Sequence, residues 1–343
     1  MKKYNLVLAF VVTGFLFFLT IMLKASHKVV QTKSDISNCL TIVKDYPMPG
    51  SSKRFDYQSV DNRRSLLFIA HLGDNSVTVF NLKTSAIIKT LNDIPSPHGI
   101  LAVPELNRVY VSATGKDEIY IIDEQSLKIL AKVPAGNYPD GIAYAPNTNR
   151  IFVSDESGKT VTVINALNNN MLATIKMGGE VGNTHYDSVS KLIYSAVQTK
   201  DELVSIDPGS MKIVSRYNLP GCKGAHGFYI DEETHYAFIT GEDNSSYVVF
   251  DLTTKKVIFT GKVGEEPDVI AFDKGYHFLY VASESGIVSV FELRQGAVIK
   301  VCEGFLADHA HTVAVDQLTH KVYFPLQNIN GIPIIRIMKP VKH

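Results

Sequence analysis

RVYVSAT (108–114) returns as RIFVSDE (150–156), LIYSAVQ (192–198), YAFITGE (236–242), FLYVASE (278–284) and KVYFPLQ (321–327), and SLLFIAHL (65–72) opens the series. The repeat is about 42 residues long. Each copy leads into a second alternating run, such as SVTVFNL, EIYIIDE or SYVVFDL, then a short turn and a third run such as SAIIKTL. Asn81, Asp123, Asn165, Asp207 and Asp251 keep register in that turn, where an Asx side chain can bond the backbone two residues on. Short β-rich runs with period-2 alternation and frequent turn signals predict antiparallel sheet. No helical period follows residue 25. Four strands per unit and seven units predict an all-β, seven-bladed β-propeller. A closed ring leaves no exposed sheet ends, as an open stack would.

Closure is also written in the chain. The last repeat offers HTVAVD, KVYFPL and IPIIRIM and then stops one strand short. LTIVKDYPMPG (40–50) matches the outer-strand pattern LKILAKVPAG (127–136), so the N-terminal strand is expected to complete blade seven beside residues 332–338.

RVYVSAT and LYVAS resemble the strand signature of the YVTN-repeat propeller family, over residues 40–338. The final Asn of that signature is not kept; His71, Ala113, Asp155, Val197, Gly241, Ser283 and Leu326 occupy its place. The resemblance implies a ligand- or partner-binding scaffold outside the cytoplasm, with enzymes only among more distant propellers. The fold alone does not assign an activity.

Three segments are expected: a signal anchor or signal peptide (1–25), a polar linker (26–38) and the propeller (39–343). Lys2 and Lys3 precede NLVLAFVVTGFLFFLTIML (5–23), which is long enough to span a bilayer as a helix. The run lacks an A-x-A cleavage site, which favours an uncleaved anchor over a cleaved signal. Either way the propeller is expected to be extracytoplasmic, periplasmic or at the cell surface. Thirty-four basic residues balance thirty-four acidic ones without a basic block, which argues against nucleic acid as a partner. A small molecule or an envelope protein is the expected partner of a monomer. Cys39, Cys222 and Cys302 form no C-x-x-C; one disulfide is open to them, but free thiols are the preferred reading.

Aligned on their second strands, the seven copies share one slot at the start of the innermost strand. It holds Asp56, His98, Asp140, Gly182, His226, Asp268 and His311, at intervals of 42, 42, 42, 44, 42 and 43 residues. In blade four Asn183 stands next to the slot and His185 three positions along. SPHGI (96–100) and YPDGI (138–142) show the exchange of His for Asp within one frame. The slot residues should ring the mouth of the central channel, with His71, Asp155, Glu156, Glu242 and Glu284 standing just behind them at the second-strand ends.

Three readings of the ring stay open: hydrogen bonding between blades, a binding or metal-holding mouth, and catalysis. Imidazoles with carboxylates suit zinc, manganese or iron(II), so the candidate cofactor is a divalent metal ion. Geometry limits one ion to neighbours on an arc. The candidate ligands are His226, Asp268 and His311, with His309 added because H-x-H places both rings on one side of a strand. A metal-dependent hydrolase or lyase at the mouth is the enzymatic alternative; a purely structural envelope scaffold is the other. No phosphate loop, dinucleotide fingerprint, H-E-x-x-H or G-x-S-x-G is present, so no residue is assigned as catalytic.

Overall fold

The computed structural model describes residues 36–294 and 296–341. The expected apolar helix over 5–23 and most of the linker lie outside them. Among the described residues no helix is long and apolar enough to cross a membrane. Seven four-stranded antiparallel sheets follow one another as the blades of a propeller. In six of them four consecutive strands pair in sequence order. The seventh consists of Ala314–Asp316, Lys321–Ile329, Ile332–Pro340 and the N-terminal strand Leu40–Pro47, which lies antiparallel to Ile332–Pro340.

Burial explains the pattern along each strand. The second strands are covered on both faces by neighbouring blades, so Leu66–His71 is buried at every position. The outer strands have one face in water, and Lys212–Asn218 and Lys256–Lys262 alternate exposed with half-buried side chains. The third residue of every second strand is aromatic: Phe68, Tyr110, Phe152, Tyr194, Phe238, Tyr280 and Tyr323. All seven are fully buried. Burying such a ring stabilises the fold by roughly 1.5–3 kcal/mol, so this register packs blade on blade all round the ring.

The Asx positions act as the sequence suggests. Asn81 Oδ1 accepts from the amides of Lys83 and Thr84 at 2.9 Å, and Asp207 and Asp251 accept from Ser210 and Thr253 at 2.7 Å. On the innermost strands a second Asx set links blades: His235 Nε2 lies 2.9 Å from Asp187, and His320 Nδ1 the same distance from Asp273.

The cysteines depart from expectation. Cys39 and Cys302 form a disulfide across a separation of 263 residues, while Cys222 is free and buried. Cys39 precedes the closing strand and Cys302 lies in the outer strand of blade six (Ala297–Phe305), so ring closure alone brings them together. Ile36–Asn38, the end of the expected linker, forms a short turn with Ile36 buried.

Candidate functional site at the channel mouth

The innermost strands of blades two to six carry the same irregularity. In blade three Pro139 pairs with Asp155 and Ile142 with Val153, so three steps oppose two. Blades two, four, five and six repeat this at Pro97, Val181, Ala225 and Pro267. The extra residue is a β-bulge, which re-aims a side chain out of the ladder. The slot residue occupies it. The following glycine is explained by close approach: a Cβ on Gly99 would lie 1.9 Å from the carbonyl oxygen of Asp140, and one on Gly227 1.6 Å from that of Asp268. The backbones of Asp140 and Asp268 thus rest on the previous blade's glycine. Ser112 Oγ also donates to the Asp140 carbonyl, at 2.5 Å.

The bulges surround a cavity of about 820 Å³ lined by Asp56, His98, Asp140, His226 and Asp268. His309 reaches its rim, exposed, and His311 lies buried behind it. Asn183 does not join the mouth. It lines a narrower cavity of about 220 Å³ deeper in the channel, with His185, whose pKa burial lowers to about 4. Glu156, Glu242 and Glu284 do stand at the mouth. His71 instead stacks on Phe55 at 4.0 Å, and Asp155 accepts from Thr160, Thr162 and the Gly136 amide.

A second ring surrounds the mouth, of which the sequence pointed only to His309. Two residues before each slot stand Arg54, Ser96, Tyr138, Glu180, Gly224, Glu266 and His309, and all of them line the mouth or the groove beside it. Ser96, Tyr138, Gly224, Glu266 and His309 have positive φ, so a left-handed turn carries each residue at the rim. The alignment that exposes the slots would have exposed this ring too. Tyr57, directly after the first slot, gave no such signal.

Eight carboxyl groups (Asp56, Asp140, Asp268, Glu156, Glu242, Glu265, Glu266 and Glu284) line the cavity against one guanidinium, that of Arg54. Arg54 bonds Glu284 and approaches Asp56 at 3.6 Å and Asp268 at 3.8 Å. His226 Nε2 lies 3.3 Å from Asp268 Oδ1 and 4.0 Å from Asp140 Oδ2, and the Tyr57 hydroxyl bridges His226 and Asp268 at 3.4 Å each. Burial opposes the charge on His226, but the bond and charge of Asp268 together with Asp140 raise its pKa well above the ordinary imidazole value. Burial likewise opposes ionisation of Asp268, yet His226, His311 and Arg54 pull its pKa down to about 2. Asp140 differs. Burial pushes it up to about 7 against the pull of His226 and His98, and among the described residues its Oδ1 has no hydrogen-bond partner. Burial raises Glu156 and Glu242 as well.

The other two imidazoles of the slot ring are clamped alike. His98 Nδ1 donates to the Ser96 carbonyl at 3.0 Å, leaving Nε2 to accept from the Tyr138 hydroxyl at 3.0 Å. His311 Nδ1 donates to the His309 carbonyl at 2.9 Å, but among the described residues its buried Nε2 has no hydrogen-bond partner. The four expected metal ligands do not converge as a set. Among the described residues the group of three whose ligand atoms lie within 4.8 Å of one another is Asp268, Glu284 and His311. Glu284 takes the place expected for His226 and His309: His226 is committed to its ion pair, and His309 Nδ1 lies 3.2 Å from Glu284 Oε2.

Blades, closing sheet and mouth together define a seven-bladed β-propeller. The sequence matches no protein-family model and no curated protein. Its similarity is to solved structures. Hydrazine synthase of Kuenenia stuttgartiensis superposes with TM-score 0.71 and 14% identity, over 84% of this chain and 96% of that one. Virginiamycin B lyase from Staphylococcus aureus gives 0.71 and 12%, over 87% and 99%. The WD40 repeats of RRP9 give 0.73 and 11%, over 88% and 100%. At these identities the likeness shows the fold alone, and the functions named are too varied to point one way.

Proposed function

We propose that this propeller is an extracytoplasmic binding protein, anchored by residues 5–23, that captures a small cationic ligand at the mouth of its central channel. The observation that carries this reading is Asp140: a carboxyl group 2% exposed, with Oδ1 unpartnered, in a cavity whose carboxyl groups outnumber its cations. A buried polar atom without a partner is costly, and a bound cation would remove that cost. The Cys39–Cys302 disulfide supports an oxidising compartment. The likeness of RVYVSAT and LYVAS to YVTN repeats supports the same placement. An acidic mouth would repel a polyanion.

A thermal-shift titration tests the reading, with alkylammonium, guanidinium, calcium and zinc set against sulfate and acetate. At least one cation and neither anion should raise the melting temperature saturably, and Asp140→Asn should abolish the shift. If no cation acts, or if Asp140→Asn responds like the wild type, the reading fails.

A second reading rests on His311. Its Nδ1–H is held by a carbonyl, so the unpartnered Nε2 presents a lone pair beside Asp268 Oδ2, 4.0 Å away, as metal-binding histidines do. Asp268, Glu284 and His311 fit a divalent ion, once Arg54 withdraws from the two carboxylates. Such an ion supplies Lewis-acid polarisation of a carbonyl. The protonated His226 alongside could donate a proton to a leaving group, giving a hydrolase or lyase. Turnover of an ester or lactone that chelation abolishes, together with loss of bound metal in His311→Ala, would establish it; a metal-free protein without turnover excludes it.

A further inference from the structure

Beside the mouth lies a groove of about 680 Å³, and the two cavities share Glu156, Glu242, Glu265 and Glu266. Glu180 and Asp243 extend the groove outward, and among the described residues no lysine or arginine lines it. Lys159 approaches it at the far end, 3.7 Å from Glu180, and Lys223, paired with Asp201, stands near enough to act on Asp243. The carboxyl groups therefore run as one track, from the buried Asp140 across the shared glutamates to the surface.

We propose that mouth and groove form a single site for a linear aliphatic polyamine, with one terminal ammonium on Asp140 and the following ammonium groups along Glu242, Glu266 and Asp243. This rests on the reading of the mouth as a cation site and names the cation. Three observations carry it. The unpartnered Asp140 Oδ1, buried in the cavity wall, calls for a hydrogen-bond donor or a cation, and an ammonium group is both. Among the described residues the track contains no group of three ligands close enough for one ion, since the group that meets that limit is Asp268, Glu284 and His311. Carboxylates spread along a groove match charge spread along a chain, whereas a metal ion needs them convergent. The rings of Tyr57 and Tyr138 also line the mouth, giving methylene groups an apolar wall and the head ammonium aromatic neighbours.

Isothermal titration calorimetry on the full-length chain, in mild detergent and low salt, tests this with spermidine, spermine, putrescine, tetralysine and calcium chloride. Spermine and spermidine are expected to bind with one-to-one stoichiometry and more tightly than putrescine. Asp140→Asn should weaken all three at least tenfold. Glu266→Gln, at an exposed position that does not threaten folding, should weaken spermine more than putrescine. Polyamine binding that is unchanged in both variants overturns the proposal, as does binding of tetralysine without spermine. Calcium binding lost in Asp140→Asn, with polyamines silent, overturns the polyamine assignment while leaving the mouth as a cation site. No binding of any cation overturns both.

Discussion

His226 Nε2 lies 3.3 Å from Asp268 Oδ1, and the two residues are the slots of consecutive blades. The pair is a buried imidazolium–carboxylate ion pair; the Tyr57 hydroxyl touches the same Nε2 and Oδ1 atoms, and the Gln198 side chain lies against the opposite ring nitrogen, His226 Nδ1. Its pH dependence has a definite sign. The folded-state pKa of His226 is raised, so its contribution is fully present below about pH 6.5 and fades as pH rises through the folded value. His226→Gln should cost about 3 kcal/mol at pH 6 and distinctly less at pH 9, measured by urea denaturation of both proteins at each pH. An equal cost at both would mean the imidazole is neutral in the folded state. Asp268, with its pKa lowered to about 2, contributes stability that is lost as pH falls from about 4 toward 2.

Gly99 and Gly227 are expected to be intolerant of a single methyl group. Gly227→Ala sets a Cβ against the Asp268 carbonyl oxygen and should destabilise by about 3 kcal/mol in chemical denaturation. Gly178→Ala is the control for placement, because among the described residues nothing lies within 4 Å of its Cβ position, although its φ of +82° brings a smaller strain cost of about 1 kcal/mol.

The closing strand is pinned by Cys39–Cys302, so reduction should lower stability by about 3 kcal/mol, and Cys39→Ser with Cys302→Ser should reproduce the loss. Cys222 behaves oppositely. Burial pushes its thiol up to about 12, so iodoacetamide should leave the native protein unmodified and label one site only after unfolding without reductant. Mass spectrometry reads both results.

Cation binding at the mouth should weaken on acidification. Asp140, faced by His226, His98, Asp56 and Glu156, is held at about 7. If its carboxylate is required, apparent affinity falls about tenfold between pH 8 and pH 6, and protons are released on binding near pH 7. Calorimetry in buffers of different ionisation enthalpy measures that release.

The repeat made the seven blades and the slot ring legible, because a 42-residue period leaves little freedom in where a propeller strand starts. The mouth residues Asp56, His98, Asp140, His226 and Asp268 followed from that register. Asn183 did not, because the bulge gives two adjacent residues opposite directions: Gly182 holds the mouthward place in blade four and Asn183 faces down the channel. Glu284 was visible only as a strand end standing behind the ring. Its place beside Asp268 and His311 depends on which neighbouring blade each side chain leans toward, and a one-dimensional period does not carry that. The disulfide was hidden for a similar reason. Cys39 and Cys302 are neighbours only when the first strand is docked on the last sheet and the ring is closed.

An anomalous diffraction experiment on crystals soaked in thallium(I), a monovalent cation of ammonium-like size, tests the central claim most directly. The expected result is a strong peak inside the mouth within contact distance of Asp140, absent from crystals of Asp140→Asn. Thallium peaks confined to the outer surface, with the mouth holding only water, would contradict it.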